Sequence, residues 1–206
     1  APQIIYCSIS AFGQTGPYRD KPAHDMAVQA LAGTLGFNRG QDGAPTNPGL
    51  PAADITSSMF ALSGVLMALL KQRQTGQGDY VDIAMHDSLL AWTPNYTGPA
   101  FAEHRAHDVK NERNWGGGAF YNIYRTQDDD WMVLGGMEHH FCANFLNKAG
   151  RPDLIPLCDL PPGAGQQPVK DFLRGFFAAR TQAEALAWLS DLDVCYAPLR
   201  SLVECY

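Results

Sequence analysis

The chain has 206 residues, 46% of them hydrophobic and 17% charged, with a formal net charge of -6; this is a core-forming composition, large enough for one large domain or two small ones. The acidic balance leaves no basic patch to displace counterions from a nucleic acid, and the apolar run Met59 to Leu70, short and broken by Ser63 and Gly64, does not read as a membrane span. No signal peptide is visible, and five scattered cysteines (Cys7, Cys142, Cys158, Cys195, Cys205) without a C-x-x-C pair suit reduced cytosolic thiols better than a disulfide framework or a zinc site.

Ile4 to Ser10 predicts a buried strand, bounded by Gly13 and Gly16. Ala27, Ala30, Leu31 and Leu35 share one face of a predicted helix over 24–35, stopped at Gly36. Residues 37–53, rich in Gly, Pro and Asn, predict a loop. Met59, Leu62, Leu66, Leu69 and Leu70 then recur at helical spacing and predict a helix over 55–73, closed by Thr75-Gly76-Gln77-Gly78. A strand over 79–85 and a short helix from His86 follow. Alternation of this kind implies an α/β layer with a parallel sheet.

Residues 94–118 change character. Pro94, Pro99, the charged run from Glu103 to Arg113 and three glycines at 116–118 predict a surface linker. A hairpin comes next, with strands over 119–125 and 131–135 around Asp128-Asp129-Asp130, a triplet better read as a solvated turn than as a metal loop. Helices near 139–149, 168–179 and 181–190 and an extended segment over 194–199 complete a small α+β domain. The expected division is therefore an α/β unit over 1–93, a linker over 94–118 and the α+β unit over 119–206. The chain enters a strand without an initiator Met and stops inside a starting helix, so it reads as an internal piece of a longer protein. The strands at 4–10 and 79–85 would then belong to a larger sheet and leave an apolar face exposed.

Asp54 heads the long apolar helix after Pro51-Ala52-Ala53. One reading makes it a structural N-cap of a helix beginning at Ile55. The other makes it reactive: the positive helix end stabilises a carboxylate, and free N–H groups beside it hold an oxyanion. His24-Asp25 and His86-Asp87 are competing His-Asp pairs, and a lone histidine is more often a surface or satisfied core residue. Glu138-His139-His140 is a poor chelate, because adjacent helical residues point about 100° apart, so no metal is expected. Gly13-x-x-Gly16 lacks the dinucleotide spacing, and neither a P-loop nor a G-x-S-x-G elbow occurs.

Taken in order, Ser8-Ile9-Ser10-Ala11-Phe12-Gly13-Gln14-Thr15-Gly16-Pro17-Tyr18, His24-Asp25, Ala30-Leu31-Ala32-Gly33, Ala53-Asp54, Arg73-Gln74-Thr75-Gly76-Gln77-Gly78, Val81-Asp82-Ile83, Gly117-Gly118-Ala119-Phe120-Tyr121, Gly135-Gly136-Met137-Glu138 and Ala197-Pro198 resemble the family III CoA-transferases, which include α-methylacyl-CoA racemases. The resemblance covers nearly the whole chain. It implies part of a Rossmann-like large domain and most of a small α+β domain, joined by a long linker, in a cytoplasmic enzyme whose two subunits interlock as rings. It implies an acyl-CoA substrate, with coenzyme A entering as part of that substrate and no tightly bound cofactor. Asp54 falls at the catalytic aspartate, His24 at the second acid/base group of the racemases, and Glu138 at the glutamate that supports this histidine. Gly13, Gln14, Asp25, Gly117 and Gly118 fall where substrate or CoA is held. Val28 departs from the tyrosine common in racemases. The His24, Asp54, Glu138 set favours α-proton removal and return, which needs a base, an acid and a stabilised enolate oxygen. CoA transfer through an aspartyl-CoA thioester is the alternative, and a non-catalytic acyl-CoA-binding domain a second one.

Overall fold

The computed structural model describes residues 1–40, 43–105, 108 and 111–206. Residues 41 and 42 of the predicted loop, and 106, 107, 109 and 110 of the predicted linker, lie outside that set. The chain forms two compact units, residues 1–107 and 108–206.

In the first unit, strands β1 (Ile5–Ser10) and β2 (Asp79–Ala84) pair in parallel, from Ile5 opposite Asp79 to Ser10 opposite Ala84. Helix α1 (Asp25–Leu31) is shorter than the predicted 24–35. Gly33 takes φ 81, a left-handed conformation cheap only for glycine, and turns the chain into a 3-10 turn over Thr34–Phe37. The expected stop at Gly36 thus falls inside that turn. Helix α2 (Ala52–Thr75) starts three residues earlier than expected and ends at Gly76, whose N–H donates to the Gln72 carbonyl at 2.7 Å from φ 71.

α2 lies against the two strands on its small residues. Ala53, Thr56, Ser57, Ala61 and Ala68 are buried, and Gly64 lets β2 approach so closely that a Cβ there would stand 2.8 Å from Val81 Cγ1. Its larger side chains, Met59, Leu62, Leu66, Met67 and Leu70 among them, are exposed. The expected apolar face is therefore present. One expectation is corrected: with 24 residues, α2 is long and apolar enough to cross a membrane by length and composition, because the helix extends well beyond the Met59 to Leu70 run at both ends. It packs against the parallel strand pair as one helix of an α/β layer. Helix α3 (Met85–Leu90) follows β2 directly. Helix α4 (Pro94–Glu103) occupies the start of the segment read as a linker; Pro94 takes the first helical position, where no N–H is needed, and Pro99 lies inside the helix.

In the second unit, β3 (Tyr121–Arg125) and β4 (Trp131–Gly135) form the expected hairpin, and β5 (Tyr196–Pro198) joins β4 antiparallel. Asp128 in the turn is more than solvated: its carboxylate accepts from Thr126 Oγ1 at 2.6 Å and from the Gln182 N–H at 3.1 Å. Helices α5 (His139–Lys148), α7 (Gln167–Ala178) and α8 (Gln182–Leu189) match the predicted spans to within two residues, and α9 (Leu202–Cys205) starts near the end of the chain. The short α6 (Ile155–Cys158) was not anticipated. Its Leu154 and Cys158 edge is buried under α5 and α7, but one turn is too short to show a period.

Among the described residues, all the largest fully buried side chains except Val28 belong to this second unit: Tyr124, Phe120, Phe145, Phe177 and Met132 lead them. The Phe145 ring meets Phe120 edge-on at 5.5 Å and packs 4.9 Å from Trp188. Phe177→Ala should therefore lower the stability of the second unit by about 3–5 kcal/mol in a denaturant titration. Residues 108–206 expressed alone should melt cooperatively, whereas residues 1–107 should bind a hydrophobic dye strongly.

Candidate active site

The N-termini of α1 and α2 meet in the first unit. His24 is the N-cap of α1, in extended backbone (φ -110, ψ 174), and its carbonyl accepts the Val28 N–H at 3.0 Å. Asp25 follows in the first turn of α1, and its Oδ1 accepts the N–H groups of Ala53 at 2.7 Å and Asp54 at 3.3 Å. These are first-turn donors of α2. The N-cap of α2 is Pro51, whose side chain offers no acceptor, and Asp54 lies inside the helix.

Two expectations change here. Asp54 is not the cap of its own helix, because a residue already in the first turn points its side chain outward from the helix axis; Asp25 caps α2 from outside. The α2 amides are also not free to hold an oxyanion. Ala52 donates to the Leu50 carbonyl at 2.9 Å, and Ala53 and Asp54 donate to Asp25. Asp25 itself has protein partners on both carboxylate oxygens, Oδ2 accepting from Gln29 Nε2 at 2.7 Å. The His24 ring and the Asp54 carboxylate are exposed, and neither has a hydrogen-bond partner among the described residues. Asp54 sits in the first turn of the 24-residue helix α2.

A small apolar cluster sets this arrangement. Val28, Ala53 and Leu89 are buried together, with Ala11, Ala23, Ala52 and Met85 packed around them. Ala23 precedes His24, Ala53 precedes Asp54, and Ala11 opens the Gly13 loop. Gly13 is buried at φ 80, a conformation that favours glycine, and lines a cavity of about 310 Å³ beyond the carboxyl ends of β1 and β2 with Phe12, Thr15, Phe60, Asp82 and Asp87. Ligands of open parallel sheets bind in such crevices. His24, Asp25 and Asp54 do not line this cavity. Gln14 is exposed but engaged by the chain itself: its N–H donates to Asp82 Oδ2 at 2.9 Å and its Nε2 to Ser8 Oγ at 2.7 Å. The competing pair is locally engaged, with His86 Nδ1 3.0 Å from Asp87 Oδ1 and the His86 N–H on the Ala11 carbonyl.

Glu138 belongs to the second unit. It is the exposed N-cap of α5 and makes no side-chain cap bond, while its carbonyl accepts the Phe141 and Cys142 N–H groups. His139 and His140 face different carboxylates, Asp159 at 2.9 Å and Asp193 at 3.9 Å. Among the described residues no group of three or more metal-ligating side chains gathers.

Gly117 and Gly118 are buried, and their glycine character has a packing reason. A Cβ on Gly117 would stand 2.6 Å from the Asn111 and Glu112 backbone, and one on Gly118 would stand 2.5 Å from Met137 Sδ. Buried polar side chains hold the segment: Gln166 Oε1 accepts the Ala119 N–H at 2.8 Å, Tyr124 Oη donates to the Ala119 carbonyl at 2.6 Å, and Lys170 Nζ lies 3.4 Å from the Gly117 carbonyl. Desolvation, followed by the charge of Arg174, lowers the Lys170 pKa. Gln29, Gln166 and Lys170 were missed from sequence, where a polar residue in a helix reads as solvent-facing; only their places among apolar neighbours hinted otherwise.

A family model described as CoA-transferase family III matches residues 1–206. The chain belongs to CoA-transferase family III. It is 26% identical to the succinyl-CoA:glutarate CoA-transferase of Mus musculus, over 100% of this chain and 48% of that protein. It is 27% identical to the α-methylacyl-CoA racemase of the same species, over 98% of this chain and 53% of that protein. The chain thus spans about half the length of these curated relatives. A solved CAIB/BAIF family protein from Brucella suis shares the fold, with a TM-score of 0.76 at 22% identity over 98% of this chain and 54% of that one.

The glycine geometry generates a ranked prediction. Gly117→Ala, which meets backbone, should destabilise more than Gly118→Ala, which meets the flexible end of Met137; thermal melts should place the two within about 1–3 kcal/mol of loss.

Proposed function

We propose that the full-length protein is an enzyme acting on acyl-CoA thioesters, and that it removes and returns the proton α to the thioester with His24 and Asp54. The observation that carries this reading is the bond from Asp25 to the first turn of α2. It ties the residue that follows His24 to the turn of α2 that carries Asp54, and the His24 ring and the Asp54 carboxylate have no hydrogen-bond partner among the described residues. One of the pair takes the α-proton as base, leaving the electron pair in an enolate. The other, in its acid form, delivers a proton to the opposite face, so atoms balance and the stereocentre inverts. Donors other than the α2 first-turn amides then stabilise the enolate oxygen. Glu138 supports His24 in this reading, and Gly13, Gln14, Gly117 and Gly118 shape the substrate or CoA path. The CoA enters as part of the substrate, with no tightly bound cofactor. The same proposal includes an interlocked homodimer of a Rossmann-like large domain and a small domain joined by a linker, located in the cytoplasm, acting on neither membrane nor nucleic acid. Five free thiols accord with that location.

Similarity to a CoA-transferase favours a second reading. There the Asp54 carboxylate attacks the thioester carbonyl and expels CoA thiolate, forming a mixed anhydride. The thiolate then attacks the aspartyl carbonyl and releases the carboxylic acid, leaving an aspartyl-CoA thioester that hands CoA to a second acid. A non-catalytic acyl-CoA-binding role is the third.

Incubation of the full-length protein with a 2-methylacyl-CoA in deuterated water separates these. Proton transfer predicts α-deuterium in the product, reduced about 10²-fold or more in both His24→Ala and Asp54→Ala. Acyl exchange onto free acids that survives in His24→Ala, with an acyl-Asp54 adduct trapped by hydroxylamine, assigns CoA transfer. Binding without either exchange assigns the non-catalytic role.

A further inference from the structure

We infer that Gln29 is a positioning residue for the reaction centre, acting through Asp25 on the turn of α2 that carries Asp54. Gln29 is only 2% exposed, in the middle of α1. Its Nε2 donates both to Asp25 Oδ2 at 2.7 Å and to the Leu50 carbonyl at 3.3 Å. The first bond fixes the rotamer of the Asp25 carboxylate, whose other oxygen then faces the Ala53 and Asp54 N–H groups. The second bond holds the residue just before Pro51, the point where the chain enters α2. The Gln29 carbonyl is in turn held by Thr34 Oγ1 at 3.2 Å. One amide group therefore joins the start of α1, the approach to α2 and the first turn of α2, and every member of the set lies within the first unit.

The chemistry makes Gln specific. The position needs a donor toward a carboxylate and a donor toward a carbonyl, and the side-chain NH₂ supplies both. Glu at the same size would place a carboxylate against a carboxylate. Leu would fill the volume and leave Asp25 free to rotate away from the α2 amides. Proton transfer and carboxylate attack both depend on Asp54 being held in a near-attack position, so loss of the clamp acts on turnover more than on binding.

This inference rests on the proposed role of Asp54, and the test separates the two. In the full-length protein, Gln29→Leu and Gln29→Glu should each lower kcat by about tenfold or more while KM changes by less than about threefold. Adding Asp25→Asn to Gln29→Glu, which exchanges donor and acceptor, should restore part of that loss. Hydrogen exchange reads the clamp without activity: the Ala53 and Asp54 amides should exchange about tenfold faster or more in Gln29→Leu, with the remaining α2 amides unchanged. Wild-type kcat in both Gln29 variants, beside an inactive Asp54→Asn, overturns the positioning role. Unchanged Ala53 and Asp54 protection overturns the clamp itself. Full activity of Asp54→Asn instead overturns the proposed function.

Discussion

The first turn of a helix presents backbone donors that its own ladder does not satisfy. In α2 this requirement shapes the whole first unit. Pro51 at the N-cap brings no side-chain acceptor, so the donors of Ala53 and Asp54 must find one elsewhere in the chain. Asp25 provides it across 28 residues of sequence. The same bond that satisfies the backbone also fixes where His24 stands relative to Asp54. One carboxylate thus meets the structural need and, in the proposed reading, a chemical one, and among the described residues the Asp54 carboxylate itself has no hydrogen-bond partner.

The two units are stabilised differently. The second has a dense aromatic core, in which Phe145 touches Phe120, Phe176, Phe177 and Trp188. Its buried polar groups are paired: Gln166 accepts the Ala119 N–H and donates to the Leu160 carbonyl, so the Gly116 to Ala119 segment is held by several bonds. The first unit buries mainly alanine, threonine and serine along α2, and much of its apolar surface is open. Small residues permit close approach of helix to strand but remove little apolar area from water, so this unit depends more on its hydrogen bonds.

Much of the fold was legible because its signals are local. The isoleucine-rich strand at Ile4 to Ser10, the hairpin around the Asp128 turn and the apolar period of α2 are visible within short windows. Thr181 and Glu184 close a capping box that marks the start of α8. The errors come from contacts that windows do not contain. Asp54 reads as an N-cap because the true cap, Asp25, is remote in sequence. α1 ends early because Gly33, not Gly36, adopts the left-handed conformation. At the site, Asp54 stood out from its place at the head of α2 and His24 as one of two His-Asp pairs, but a shared role for them and for Glu138 came only through the family resemblance. Gln29, a buried amide with no motif around it, required the structure.

The central claim is that Asp25 holds the first turn of α2 so that Asp54 and His24 face one reacting carbon. The most direct measurement is a crystal structure of the full-length protein with an unreactive acyl-CoA analogue. The account predicts His24 and Asp54 on opposite faces of the α-carbon, each with a side-chain atom within about 3–3.5 Å of it, and Asp25 still bonded to the Ala53 and Asp54 N–H groups. An Asp25 carboxylate turned onto the ligand, with the α2 amides released and Asp54 remote from the α-carbon, would contradict it.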